Sequence, residues 1–281
     1  NCGYLINRSG NVEQNPWRIA FREGLFNISA DKKKKMFKQS PGYGDDGKAL
    51  LPLYEGKMMY QMDHRFATFV PAKKFSEVLL QEKGSADYSV NPQYWSLYTE
   101  TVLRATKMDS AVVKSYREYL KKTDNQFLEK LLTNCRKSKN EKLNRIAILQ
   151  TDLKESILQV AEELCPKYLF AYRIITNTTN ERTLIASVLP FCGVSHSMYV
   201  MYVGQTPVKQ ACFLANLNSI CTDYAARQKV GGTNLTLGYF EQFPILPPDT
   251  YITTCINYIV PRVFALTYTA TDIVEWARAL W

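Results

Sequence analysis

The sequence predicts an α+β fold: a mixed β-sheet built from both ends of the chain and interrupted by an inserted helical hairpin or bundle. Three observations predict it. Residues 110–166 repeat apolar side chains at steps of three and four, the helical period. Residues 168–203 hold runs rich in β-branched and aromatic residues, the composition of strands. A further strand-like run at 50–70 lies on the far side of the helical segment. The chain then divides into 1–109, 110–166 and 167–281. With 281 residues, 46% of them hydrophobic, it is long enough for one large domain or two small ones with true cores. A charged fraction of 22% excludes a disordered tract.

In chain order, residues 1–30 mix apolar runs with turns at Arg8-Ser9-Gly10 and Asn15-Pro16. Lys32 to Lys35 read either as a solvated face or as a phosphate-contacting patch. Residues 41–48 are a glycine- and aspartate-rich turn. In the helical segment Val112, Val113, Tyr116, Tyr119 and Leu120 share one face. Asp124 caps a second helix with Phe127, Leu128, Leu131, Leu132 and Cys135 inward. Asn140 caps a third, whose stripe Ile146, Leu153, Ile157, Val160, Leu164 runs about 36 Å to Pro166 if Gln150 takes one seam position. Strands follow at 168–175, 184–191 and 198–203. One amphipathic helix is expected over 210–229, with Ala211, Leu214, Ala215, Leu217, Ile220, Cys221 and Tyr224 on one side. Gly231-Gly232 stops it. A strand or turn leads to 244–248, and Thr271 or Asp272 caps a last helix to Trp281.

The balance of 35 Lys+Arg against 26 Asp+Glu gives +9, which suits a phosphate-bearing partner. The excess is uneven: 14 against 11 in 1–100, 14 against 9 in 101–170, and only 7 against 6 in 171–281. A base-reading surface in the last third therefore relies on a few placed groups. Seven cysteines (Cys2, Cys135, Cys165, Cys192, Cys212, Cys221, Cys255) form no CxxC pair, which argues against a disulfide framework and a zinc knuckle and for reduced thiols in a cytoplasm. The glycosylation patterns at Asn7, Asn27, Asn177 and Asn234 carry no meaning there. No apolar run reaches the roughly 20 residues of a membrane span. The opening on Asn1 rather than Met is read as the mark of a piece of a longer chain.

Three blocks carry a family pattern. They are 51–68, LPLYEGKMMYQMDHRFAT; 172–183, YRIITNTTNERT; and 214–248, LANLNSICTDYAARQKVGGTNLTLGYFEQFPILPP. Together with the tail at 259–277 they resemble the C-terminal region of adenine-specific DNA methyltransferases from restriction-modification and type IIG-like systems. The third block is also similar to the target-recognition domains of type I specificity subunits. The resemblance implies a domain that reads a short sequence in double-stranded DNA. It implies a catalytic methyltransferase domain upstream in the same chain, and other restriction-modification subunits as further partners. The candidate DNA-binding residues are Lys57, His64, Arg65, Arg173, Thr178, Asn180, Arg182, Arg227, Lys229, Gly231, Gly232, Thr233 and Asn234. Asn234 and Gln228 have the paired donor and acceptor that suit adenine, and Arg182 and Arg227 the fork that suits guanine. Gly231-Gly232-Thr233-Asn234 would offer bare backbone N–H groups to a phosphate. The bland alternative is that Gly231-Gly232 caps a helix and that Glu181 pairs with Arg182.

The methyl-transfer motifs themselves are not found. Asn91-Pro92-Gln93-Tyr94 lacks the second proline of the adenine-gripping motif, and Gly42-Tyr43-Gly44 lacks a preceding strand and a third glycine, so both read as turns. No cofactor is expected in this stretch; S-adenosylmethionine belongs to the parent enzyme. Two other readings stand beside DNA recognition. Asp46, Glu55 and Lys57 have the spacing of a Mg²⁺-dependent nuclease core, although the usual proline before the first acid is missing. A protein-interaction module with the helical hairpin as its surface is the third. His64 and His196, the only histidines, are too far apart in sequence to suggest a metal site or a triad.

Overall fold

The computed structural model describes residues 4–8 and 14–281. Cys2 and the Ser9-Gly10 part of the first expected turn lie outside the described residues. The fold is α+β, and the chain forms two compact units. A sheet unit takes 1–41, 51–95 and 167–281, and a helical unit takes 42–50 and 96–166.

The strands are β1 (Ile19–Glu23), β2 (Phe37–Lys38), β3 (Leu51–Tyr54), β4 (Ala67–Val70), β5 (Lys74–Glu77), β6 (Trp95–Ser96), β7 (Tyr168–Arg173), β8 (Ala186–Pro190), β9 (Gly193–Val194) and β10 (Met198–Val203). The helices are α1 (Ile28–Lys33), α2 (Leu80–Lys83), α3 (Tyr98–Ala105), α4 (Ser110–Lys121), α5 (Asn125–Lys137), α6 (Glu141–Leu149), α7 (Leu153–Glu163), α8 (Pro207–Leu217), α9 (Ile220–Lys229), α10 (Leu237–Phe240), α11 (Thr253–Thr267) and α12 (Val274–Leu280).

The main sheet runs β1-β10-β7-β8, all antiparallel. Ile19 faces Val203 across β1 and β10, so early and late chain share one sheet. A second sheet, β2-β6-β3-β9, holds the parallel pair β3 and β9; β4 and β5 form a separate hairpin. Among the described residues the expected single sheet is thus three. Trp17, Phe170, Tyr172, Phe213, Phe240 and Trp276 centre the core of the sheet unit. Tyr172 stacks on Phe240 at 4.0 Å and 10°, and Trp276 stands edge-on to Tyr168 and Phe170. The two indole N–H groups of this core are satisfied: Trp17 donates to Leu246 O and Trp276 to Thr267 Oγ1.

The helical unit uses the expected caps. The Asp124 carboxylate accepts from Phe127 N, and Asn140 accepts from Lys142 and Leu143 N. Val112, Val113, Tyr116 and Tyr119 of α4 are buried, as are Leu131, Leu132 and Cys135 of α5. The unit begins at 96 rather than 110 because α3 is tied into it. Glu100 pairs with Arg104 and with Arg117 of α4, and Cys165 Sγ donates to Val102 O. The long third helix is corrected to two. Gln150 and Asp152 are left-handed, with φ 54° and 43°, and end α6 before α7 starts. The run Gln150-Thr151-Asp152 puts three polar side chains where a continuing stripe needed an apolar one. Leu143 and Ala147, not Ile146, face inward in α6.

Two more corrections lie in the sheet unit. The expected helix over 210–229 is broken between α8 and α9. The Asn218 amide donates to Leu214 O and the Ser219 hydroxyl caps Thr222 N, so side chains take over the backbone groups of the junction. Ile220 and Tyr224 are consequently exposed, while Thr222, Asp223 and Ala226 are buried. Helix α11, with Pro261 inside it, was not expected from the sequence. Of the cysteines, Cys135, Cys165, Cys192, Cys212, Cys221 and Cys255 are free. Among the described residues no helix is long and apolar enough to cross a membrane.

Arg65 is 1% exposed, and its guanidinium donates to the carbonyls of Ser85, Tyr88, Lys83 and Thr269 at 2.5–3.0 Å. It ties the 83–88 segment and Thr269 to its own turn, so its expected phosphate contact is corrected to a structural role. Arg65→Ala leaves four carbonyls without a charged donor and should cost about 3 kcal/mol in chemical unfolding; an unchanged midpoint would contradict this role.

Candidate nucleic-acid interface

β7 leaves its sheet at Arg173, and the chain turns through 174–183 before β8. Asn177 shapes the turn: its Oδ1 accepts from Thr179 N at 3.1 Å, and Asn180 N donates to Asn177 O at 3.1 Å. The Thr176 hydroxyl donates to Thr183 O at 2.7 Å and closes the loop at its base.

The loop is held from α9. Asp223 is 3% exposed. Its Oδ1 accepts from the backbone N–H groups of Thr183 and Leu184 at 2.7 and 2.8 Å, and its Oδ2 from Arg227 Nε at 3.1 Å. The Arg227 guanidinium then donates to Thr178 O at 2.9 Å, to Asn180 O at 2.8 Å and to Glu181 O. Arg227 is therefore spent on the carbonyls of the loop, and the expected guanine contact is corrected to a positioning role. Thr178 and Asn180 lend their carbonyls to that clamp, and the Asn180 residue is exposed. Sequence reasoning passed over Asp223. The signal was present as an Asp four residues before an Arg on a helix, and as a charge on the face that α9 buries.

The stretch 230–236 joins the same surface. Thr176 N donates to Thr233 O, Leu235 N donates to Ile174 O, and Ile175 pairs with Asn234. Gly231, Gly232, Thr233 and Asn234 are exposed. A side chain added at either glycine would meet nothing within 4 Å. Helix α9 ends at Val230 in extended conformation, so the glycines do not supply a left-handed cap. The space over their backbone is open. Gln228 is exposed on the same helix.

The third side comes from the turn after β3. Gly56 N donates to Ser197 Oγ at 2.9 Å, and a Cβ at Gly56 would sit 3.2 Å from both Arg173 Cγ and Ser197 O. The absent side chain lets this turn pack on β7 and present Lys57 to solvent. Arg173 is half-buried, and burial lowers its pKa while the nearby Tyr60 opposes the shift. The Tyr60 hydroxyl donates to Glu181 Oε2 at 3.3 Å. Burial raises its pKa first, the Glu181 charge adds to that, and the Arg182 cation works against it. Lys57, Tyr60, Arg173, Arg182, the 177–183 loop and the 231–234 turn thus belong to one neighbourhood. Tyr60 and the 54%-exposed Ile175 were not among the expected residues.

Other expected residues fall elsewhere. His64 is fully buried, with Nε2 2.9 Å from Asp272 Oδ1, which corrects its assignment as a DNA contact. The Lys229 ammonium donates to Gln242 Oε1 and lies 5.8 Å from the centre of the Tyr4 ring. Lys32 reaches the Tyr94 hydroxyl, and Lys33 to Lys35 lie on exposed backbone at the end of α1. Asn91 and Tyr94 sit in loop, as the missing second proline suggests. The nuclease set is divided. Asp46 belongs to the helical unit, where its carboxylate accepts from the Thr99 hydroxyl and Lys48 N, while Glu55 and Lys57 belong to the sheet unit.

Two consequences are testable. Asp223→Ala leaves the Thr183 and Leu184 N–H groups and the Arg227 cation without their acceptor, and should lower stability by about 3 kcal/mol in denaturant unfolding. The Glu55 carboxyl is pushed up by burial, against the pull of Lys57. A folded-state pKa above the unfolded value means the native state holds its proton longer, so stability falls as pH rises through the carboxyl range. Glu55→Gln removes that loss, and its melting temperature should gain on wild type at pH 8 but not at pH 4; equal differences at both pH values would refute this. No protein-family model, curated protein or solved structure matches the chain.

Proposed function

We propose that this chain reads a short sequence in double-stranded DNA on behalf of an adenine-specific DNA methyltransferase. Methyl transfer and S-adenosylmethionine binding would belong to a catalytic domain of the parent protein. The observation that carries the reading is the junction of the three family-like blocks. Tyr60 of the first bonds Glu181 of the second; Asp223, Arg227 and Thr233 of the third bond the 176–184 stretch of the second. Residues that are apart in sequence build one solvent-facing surface with the chemistry that DNA recognition needs.

That chemistry divides into two tasks. Lys57 and the open backbone at Gly231-Gly232 suit phosphate oxygens and would fix register. Arg182 and Asn180, on the loop braced by the Asp223–Arg227 clamp, and Asn234, in the stretch that pairs with Ile175, suit base edges in the major groove. Ile175 offers an apolar contact of the kind that meets a thymine methyl. The overall excess of nine positive charges adds sequence-independent attraction.

The test is duplex binding at two salt concentrations, using the chain alone and the longer protein with its catalytic half. Affinity should fall steeply with salt. Lys57→Ala should weaken all duplexes alike and flatten the salt slope by about 1, whereas Arg182→Ala should cost about 1–3 kcal/mol on the preferred site alone. Salt-independent binding, or none by either protein, would sink the proposal.

A further inference from the structure

Lys57 connects the candidate interface to the β4–β5 hairpin. Among the described residues β4 and β5 pair only with each other, with Phe69 opposite Phe75 and Val70 opposite Lys74. The hairpin is fastened at its base. Phe66 N donates to Met58 O at 3.0 Å, Val78 N to Phe66 O at 2.9 Å, and Phe69 N to Asn91 O at 2.8 Å. The Phe66 ring stacks on Tyr60 at 4.9 Å and 26°. Phe69 and Phe75 meet edge to face at 5.6 Å, and the Lys57 ammonium lies 5.8 Å from the centre of the Phe75 ring. That is within cation–π reach. The hairpin is thereby joined to the turn that carries Lys57 and Tyr60.

The tip of the hairpin is cationic. Lys73 N donates to Val70 O at 3.0 Å and closes a turn, and Lys74 follows in the left-handed region at φ 64°. A turn with a left-handed residue after it is a common hairpin loop, and glycine or asparagine is at home in that last position. Here a lysine takes it. Pro71, Ala72, Lys73 and Lys74 are exposed, as is Lys57. Among the described residues none of the three lysines is in an ion pair. Residues 66–76 hold no acid.

Three unpaired ammonium groups on one braced element suit a partner with repeated negative charge. Two observations narrow the partner. The exposed tip has no large apolar side chain to enter a bilayer. Lys57 also belongs to the neighbourhood of Arg173, Arg182 and the 231–234 turn. We propose that the β4–β5 hairpin grips the phosphate backbone of DNA, with Lys73 and Lys74 extending the contact made by Lys57. This rests on the DNA reading and adds to it a sequence-independent arm outside the loops assigned to base edges. The contact is made by ammonium groups, so the strand amides keep their bonds within the hairpin.

The test is duplex binding by the whole chain over a range of salt concentrations. The key variant is Lys73→Gln with Lys74→Asn. Asparagine tolerates the left-handed region, so the melting temperature should not fall. Two lost phosphate contacts should weaken every duplex by about tenfold at low salt and flatten the slope of log affinity against log salt by about 2. Lys73→Arg with Lys74→Arg should keep both. Lys137→Gln with Lys139→Gln removes the same charge from the helical unit and should leave the slope as in wild type. If wild type binds duplex with a salt-dependent affinity that the hairpin variant shares, the hairpin assignment is overturned and the DNA reading stands. If wild type binds no duplex, both fall. Equal flattening by the Lys137 and Lys139 variant would also overturn the assignment. So would tighter binding to phosphatidylserine vesicles than to duplex, lost in the hairpin variant.

Discussion

The carboxylate of Asp223 is the interaction on which the candidate surface depends. It is a buried charge, and a buried carboxylate is tolerated only with partners that replace water. It has three: two backbone N–H groups at the entry to β8 and the Arg227 guanidinium. Because Arg227 extends the chain of bonds to the carbonyls of Thr178, Asn180 and Glu181, one acid on a helix sets the path of a loop some 40 residues earlier in sequence. A surface loop otherwise costs about 1–2 kcal/mol per residue to order. Bracing it before a ligand arrives removes much of that cost from binding.

The layers beneath supply the rigid support that this clamp needs. Tyr172, one residue before β7 ends, stacks on Phe240, and Phe170 packs on Trp276. The strand that delivers Arg173 is thereby held by aromatic rings from the last third of the chain. Helix α8 presents Phe213 to Trp17 at 4.9 Å and ties the early chain to the same core. The sheet unit is therefore assembled from segments far apart in sequence, and residues 96–166, which separate them along the chain, form most of the helical unit. Recognition chemistry on loops, with packing chemistry under them, is the usual division of labour in folded domains.

The fold was legible where period and caps agree. Asp124 and Asn140 announce helices because their side chains accept the first free N–H groups, and β10 is a run of Met, Tyr and Val at its expected bounds. It was illegible where a polar run had to be weighed against a stripe. Gln150-Thr151-Asp152 fits a seam on paper, yet Ile148 and Leu149 are 74% and 69% exposed, and no apolar partner rewards continuing the helix. The same holds for Asn218-Ser219. The site was legible as segments rather than as roles. The 172–183 and 214–248 blocks do meet, but Arg227 and Arg65, chosen as cations for DNA, have their guanidinium groups turned onto main-chain carbonyls. A sequence names a donor and not its acceptor. Glu181 was paired on paper with its neighbour Arg182, and instead takes the Tyr60 hydroxyl from a distant turn.

Amide hydrogen exchange, mapped with and without a duplex carrying the preferred site, tests the central claim most directly. In the free chain Thr183 and Leu184 should exchange only through global unfolding, because their N–H groups end on a buried carboxylate. Added duplex should slow exchange across 177–182 and 231–234 and leave the helical unit unchanged. Fast exchange at Thr183 and Leu184 in the free chain, or protection by DNA that falls outside those two segments, would contradict the account.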